Sequence, residues 1–110
     1  AVGWIAGAGG MAVIAHPGRY DMGKTLIERL ILDFKAAGGE GIEVACGSHS
    51  LDDMHKFALH AERHQLYASS GSDFHAPGEG GRDVGYTEPL PPLCRPAWLA
   101  LSGRVIRAAA

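Results

Sequence analysis

The sequence is short of cysteine, of net charge and of long apolar runs, and each shortage closes off a class of protein. Cys46 and Cys94 are its two cysteines. They lie far apart without metal-ligand spacing, so reduced thiols in a cytoplasmic protein are the expectation. A net charge of −2 with a pI near 6.3 offers no broad basic face for nucleic acid or anionic membrane, while leaving room for a local basic pocket. The uncharged stretch Ala1–Ala15 falls short of the roughly 20 residues of a membrane span and is rich in Gly. It also lacks the basic segment of a signal peptide, so no membrane partner is expected. The first residue is not Met, and the chain starts inside an apolar pattern; a fragment of something longer is expected.

What is present reads as alternating β and α elements. At 110 residues the chain is one domain or less, able to bury roughly 60–70% of its unfolded surface. Ala1–Ala8 reads as a helix end stopped by Gly9-Gly10, and Met11–Ala15 as a short buried strand. Lys24–Ala37 is the clearest helix. Leu26, Ile27, Leu30, Ile31 and Phe34 repeat at helical spacing, with Glu28, Arg29, Asp33 and Lys35 on the other face. Gly41–Ala45 is a second strand and Leu51–His64 a second long helix, capped by Ser50 with Asp52-Asp53 in its first turn. Leu66–Ser69 is a third strand. Ala76–Pro96 is a long Gly/Pro-rich loop, including Gly78-Glu79-Gly80-Gly81, and Ala97–Ser102 a last short helix. The alternation predicts parallel strands, and three of them make a meagre sheet.

The chemistry-bearing residues gather after the strands. Ala15-His16-Pro17-Gly18-Arg19-Tyr20 follows the first, and Gly71-Ser72-Asp73-Phe74-His75-Ala76-Pro77 the third. In α/β units such loops open on the C-terminal edge of the sheet, where sites are built. Imidazole and carboxylate together are a ligand set for Zn, Mn or Fe ions that activate water. His16, at a strand end, is a metal-ligand candidate. Asp73 and His75 alternate about Phe74, so an extended backbone would turn both to one face with Phe74 buried on the other. Glu43, inside a buried strand, must be paired, hydrogen-bonded or metal-bound. Arg19 suits a grip on phosphate. His49, in Cys46-Gly47-Ser48-His49-Ser50, either lines the pocket or occupies a turn near a helix start.

Two patterns invite other readings. Gly18-Arg19-Tyr20-Asp21-Met22-Gly23-Lys24-Thr25 fits G-x-x-x-x-G-K-[ST] between a strand and a helix. Its bulky intervening residues, the carboxylate of Asp21 and the missing Mg²⁺-side carboxylate weigh against a phosphate loop. His60-Ala61-Glu62-Arg63-His64 has histidines one turn apart but is not H-E-x-x-H; with His55, these are expected on a solvated helical face.

Taken together, Ala15-His16-Pro17, Gly41-Ile42-Glu43-Val44 and Gly71-Ser72-Asp73-Phe74-His75 resemble the C-terminal motifs of the PHP (polymerase and histidinol phosphatase) family of metal-dependent phosphoesterases. The likeness runs from Ala1 to about Trp98. His16–Tyr20 and Gly47–Ser50 are most similar to the branch acting on nucleoside 3′,5′-bisphosphates and on 5′ ends of short RNAs, a 5′-3′ exoribonuclease activity. The resemblance implies an α/β fold, a distorted (β/α)7 barrel of which about three β/α units are present. Residues 1–110 would then be the C-terminal part of one catalytic domain. It further implies His16, Asp73 and His75 as ligands of a divalent metal cluster, with Glu43 ranked below them. Mn is the first expectation for the metal, with Zn, Fe or Mg as alternatives. Arg19 is implied as a phosphate contact, with no catalytic group beyond metal-activated water, and His49, from its position after the second strand, is the other substrate-contact candidate. The substrate would be a phosphorylated small molecule or short oligonucleotide. The family's N-terminal His-x-His and its other ligands have no counterpart here, so a partner is expected in a missing N-terminal portion of the same domain. Alternatives are a P-loop nucleotide-binding fragment through Gly18–Thr25, a noncatalytic subdomain of the same fold, or a histidinol-phosphatase-like activity.

Overall fold

The computed structural model of the protein describes residues 1–79 and 82–109. Helix α1 (Val2–Gly7) precedes strand β1 (Val13–Ile14), helix α2 (Lys24–Ala36), strand β2 (Gly41–Cys46), helix α3 (Leu51–Arg63), strand β3 (Tyr67–Gly71) and helix α4 (Ala97–Ala109). The three strands form one parallel sheet in the order β1-β2-β3, as β/α alternation requires. Central β2 is almost wholly buried, with Ile42 and Val44 fully enclosed, which is why it reads as an apolar run rather than an alternating one.

The core lies between the sheet and α2 and α3, with Phe57, Ile31, Ile42, Leu66 and Val44 as its largest fully buried side chains. Fully burying each such apolar side chain is worth about 1.5–3 kcal/mol. The start of α3 is fixed by the expected cap. Ser50 Oγ accepts from the Asp53 N–H at 3.1 Å, and the Asp53 carboxylate accepts from the Ser50 N–H at 3.0 Å, a reciprocal box that satisfies two orphan donors.

Several expectations need correction. The first strand shrinks from Met11–Ala15 to two residues, because His16 turns left-handed and Pro17 brings no N–H to the ladder. Helix α2 buries Ile27 and Ile31, but Leu26 is 55% exposed; it lies about 100° from Ile27 round the helix and falls off the core stripe. Helix α4 runs well past Ser102. Its Arg104 is anchored to the Gly10 carbonyl at 3.0 Å and to both oxygens of Glu40 at 3.0 and 3.2 Å. The histidines on and just after α3 divide. His55 is exposed, but His60 is 8% exposed and buried, and His64 keeps 10% of its side chain accessible. Both turn toward Glu28 of α2, which the sequence pattern had placed on the solvent face. Gly80 and Gly81 of the Gly-rich loop lie outside the described residues.

Candidate functional site at the strand ends

The loop after β1 is bent and tightly held. His16 has φ 34°, and Pro17–Arg19 then form a single 3₁₀ turn. A left-handed non-glycine residue costs of order 1–3 kcal/mol and persists where its surroundings over-determine it. Here the His16 N–H donates to Glu43 Oε2 at 2.6 Å, and the Tyr20 hydroxyl donates to the Ala15 carbonyl at 2.7 Å. The Gly18 N–H donates to His49 Nε2 at 2.9 Å. His49 Nε2 is therefore unprotonated, and Nδ1–H donates to the Val44 carbonyl at 2.7 Å. With both ring nitrogens committed to backbone and the ring buried against Phe57, His49 supports the loop and has no nitrogen left for a substrate.

The loop after β3 is bent in the same way. Asp73 has φ 56°. Its Oδ2 accepts from Arg19 Nη1 at 3.2 Å, joining the two loops. The His75 Nδ1–H donates to the Asp73 carbonyl at 2.8 Å, which leaves Nε2 with a free lone pair on a side chain that is 67% exposed. The expected extended alternation fails here: β3 ends at Gly71, and Phe74 is exposed rather than buried.

Between these loops lies a cavity of about 440 Å³ lined by Arg19, Gly47, Ser48, Ser72, Asp73, His75 and Glu79. All but Glu79 sit on or just beyond the turns that follow the parallel strands, the edge where α/β folds place their sites. Gly47 is required by close approach, since a Cβ there would run into the Ser72 carbonyl. Beneath the cavity, a register shift in the β2–β3 pairing falls between Glu43 and Ala45. Such irregularities re-aim side chains near sites, and Glu43 reaches up to the His16 N–H and to the open side of Gly71.

Of the residues picked from sequence, Arg19, Asp73 and His75 therefore line one cavity, while His16, Glu43 and His49 lie outside its lining. Ser48, Ser72 and Glu79 line it without having been singled out; only Glu79, a carboxylate within a Gly-rich loop, carried any sequence signal. Among the described residues, the buried side-chain nitrogen or oxygen left without a hydrogen-bond partner is His16 Nδ1. Asp73, Glu79 and Glu43 set three carboxylates against the single cation of Arg19 around this edge. These are donor types that suit a divalent metal, but among the described residues no three of them at this edge bring donor atoms within 4.8 Å of one another; the one group that does is Glu28, His60 and His64.

The phosphate-loop alternative is overturned by the same geometry. A phosphate loop aims successive backbone N–H groups at an anion. Here the Gly18, Arg19, Tyr20 and Met22 N–H groups are already donated to His49 Nε2 and to the carbonyls of His16, Pro17 and Tyr20. Lys24 faces a different cavity, shared with Asp52, His55 and Lys56.

No family model matches the chain. Known proteins do. The chain is 84% identical over 109 residues to a 3′,5′-nucleoside bisphosphate phosphatase of Chromobacterium violaceum, covering 99% of this chain and 38% of that protein. This chain is similar to a phosphoesterase over nearly its whole length. It is also 46% identical over 77 residues to a 5′-3′ exoribonuclease of Haemophilus influenzae, covering 70% of this chain and 28% of the relative. A solved structure of an amidohydrolase from Chromobacterium violaceum, with bound sulfate and no metal, superposes with a TM-score of 0.89 at 82% identity, over 94% of this chain and 35% of that one. The resemblance to the bisphosphate phosphatase and exoribonuclease branch is thus borne out. The chain spans well under half the length of the relatives it matches. No helix among the described residues is long and apolar enough to cross a membrane.

Proposed function

We propose that this chain is the C-terminal part of a PHP-type catalytic domain, a distorted (β/α)7 barrel, that hydrolyses phosphate esters of nucleotides or short RNA. The observation that carries the reading is the meeting of Arg19, Asp73 and His75 around one cavity at the C-terminal ends of parallel strands. The 84% identity to a bisphosphate phosphatase supports the substrate class.

In this reading His16, Asp73 and His75 contribute ligands to a divalent metal centre, Mn before Zn, Fe or Mg, with Glu43 close by. The metal, when bound, supplies a water acidic enough to act as nucleophile and positive charge for the phosphoryl oxygens. The chain's own residues do the rest. Arg19 grips a non-reacting phosphoryl oxygen, while its bond to Asp73 holds the guanidinium over the cavity. His49 and Glu43 position the His16 loop through its backbone. Ser48 and Ser72 offer hydroxyls at the cavity wall. The enzyme works in the cytoplasm, where its two thiols stay reduced.

The test is phosphate release from a nucleoside 3′,5′-bisphosphate with Mn²⁺, comparing the 110-residue chain with a version extended upstream. The extended protein turns over and the short chain does so negligibly, because three strong ligand candidates do not close a two-metal site. Equal rates from both would place the active site elsewhere.

A further inference from the structure

Helices α2 and α3 meet at a side-chain cluster that the strand-edge site does not use. Glu28 lies between His60 and His64, with Oε1 3.5 Å from His60 Nδ1 and Oε2 3.0 Å from His64 Nε2. One donor atom from each residue fits within a mutual spread of 4.8 Å. Side-chain exposures of 20% for Glu28, 9% for His60 and 10% for His64 make this a largely enclosed group. His60 and His64 are one helical turn apart and their rings are stacked 14° from parallel at 6.2 Å, so both present nitrogen to the same side.

We propose that Glu28, His60 and His64 form a second divalent-metal site, of the two-histidine, one-carboxylate type that suits Zn²⁺, which clips α2 to α3. Zinc bonds of 2.0–2.1 Å to nitrogen and oxygen in a tetrahedron place neighbouring donors about 3.3 Å apart. From one carboxylate oxygen, Glu28 Oε1, the distances are 3.5 Å to His60 Nδ1 and 3.1 Å to His64 Nε2, close to that value, and the gap between the two imidazoles has to close. A bound metal would take the place of the hydrogen bond that now joins His64 to Glu28. Three protein donors would leave a fourth position for water, and a cavity of about 590 Å³ is lined by His60 and Arg63 beside the cluster. That cavity shares no lining residue with the one at the strand ends.

Arg63 is the competing cation. Its Nη1 sits 3.0 Å from Glu28 Oε1 while its side chain is 66% exposed. Removing it frees a carboxylate oxygen without disturbing the core, so Arg63→Ala binds zinc more tightly than the parent. A purely structural ion cluster predicts no such gain.

The experiment counts zinc per chain by equilibrium dialysis against Zn²⁺ alone, followed by elemental analysis, on the whole protein that carries this chain. Circular dichroism confirms that each variant folds. Glu28→Gln keeps the shape and one hydrogen-bonding oxygen, and His64→Ala removes a donor at the helix end; each loses one zinc ion relative to the parent. Asp73→Asn, at the other site, keeps that ion, and Co²⁺ bound there gives visible bands of a four-coordinate centre. Unchanged zinc in both Glu28→Gln and His64→Ala would overturn the proposal. So would an ion lost in Asp73→Asn and kept in the α2–α3 variants, a result that would leave the strand-edge reading intact.

Discussion

Arg19 and Asp73 stand 54 positions apart in the chain and are joined by a 3.2 Å hydrogen bond between the loops that follow β1 and β3. The bond crosses above β2, so it closes the sheet edge into a cavity rather than stabilising either loop alone. With 54% of the Arg19 side chain exposed, its contribution to stability is small, as for surface ion pairs generally. Its consequence is positional: a cation is held at the wall of the cavity between the two loops.

Arg19 and Lys24 give opposite expectations for the two ways of binding phosphate. Losing a charge-assisted hydrogen bond is worth about 1.5–3 kcal/mol, roughly 10- to 100-fold. Arg19→Ala should raise KM for a nucleoside bisphosphate by about that factor, and Lys24→Ala, on a different cavity, should leave it unchanged. Steady-state kinetics of the two variants in the extended protein decide; a collapse with Lys24→Ala alone would restore the phosphate loop.

Gly47 is predicted to be intolerant of a methyl group. A Cβ there collides with the Ser72 backbone carbonyl, and backbone cannot swing aside as a side chain can. Gly47→Ala should displace the segment leading to Asp73 and cut turnover well beyond its effect on Tm. Paired thermal melts and rate measurements separate the two effects.

His49 should matter for folding before catalysis. His49→Ala leaves the Gly18 N–H and the Val44 carbonyl without their partner; Gly18 is exposed and its N–H can turn to water, so the cost is mainly the about 1–3 kcal/mol of leaving the buried Val44 acceptor short of a partner. Denaturant unfolding should show the loss. His49→Gln, able to accept and donate, should recover part of it.

The capping box sets a pH dependence. The Ser50 backbone N–H, assisted by its hydroxyl, holds the Asp53 carboxyl below its ordinary value. A carboxylate with a lowered folded-state value binds fewer protons folded than unfolded, so its stabilisation is full above its unfolded value near 3.8 and disappears as pH falls through the lowered one. Asp53→Asn should therefore cost more stability at pH 7 than in acid, the difference shrinking as pH falls below about 3.8, read from unfolding curves across that range.

Much of this was legible in the chain. Parallel β/α order, the Ser50 cap and the cluster of Arg19, Asp73 and His75 all follow from short-range patterns: periodicity, turn chemistry and residues just past strands. What was missed depends on contacts between distant segments. Phe74 was expected inside because alternation assumes an extended backbone, whereas Asp73 is left-handed. His49 reads as available from sequence because its two backbone partners, at Gly18 and Val44, are set by the fold. The helix histidines looked solvated because His60–His64 holds its glutamate at the wrong offset. The carboxylate they meet, Glu28, is 36 residues from His64 and on another helix, so no local motif could reveal it.

The most direct test of the account is the rate of phosphate release from a nucleoside 3′,5′-bisphosphate, with Mn²⁺ in excess, by the extended protein carrying Asp73→Asn. Asp73 joins the bent loop, the cation at Arg19 and the proposed metal, and Asn preserves its size and hydrogen bonding while removing the charge. The account predicts a loss on the order of 10²-fold or more, as expected when a group supporting a metal-activated nucleophile is neutralised, with the fold unchanged by circular dichroism. A variant that turns over at the parent rate would contradict it.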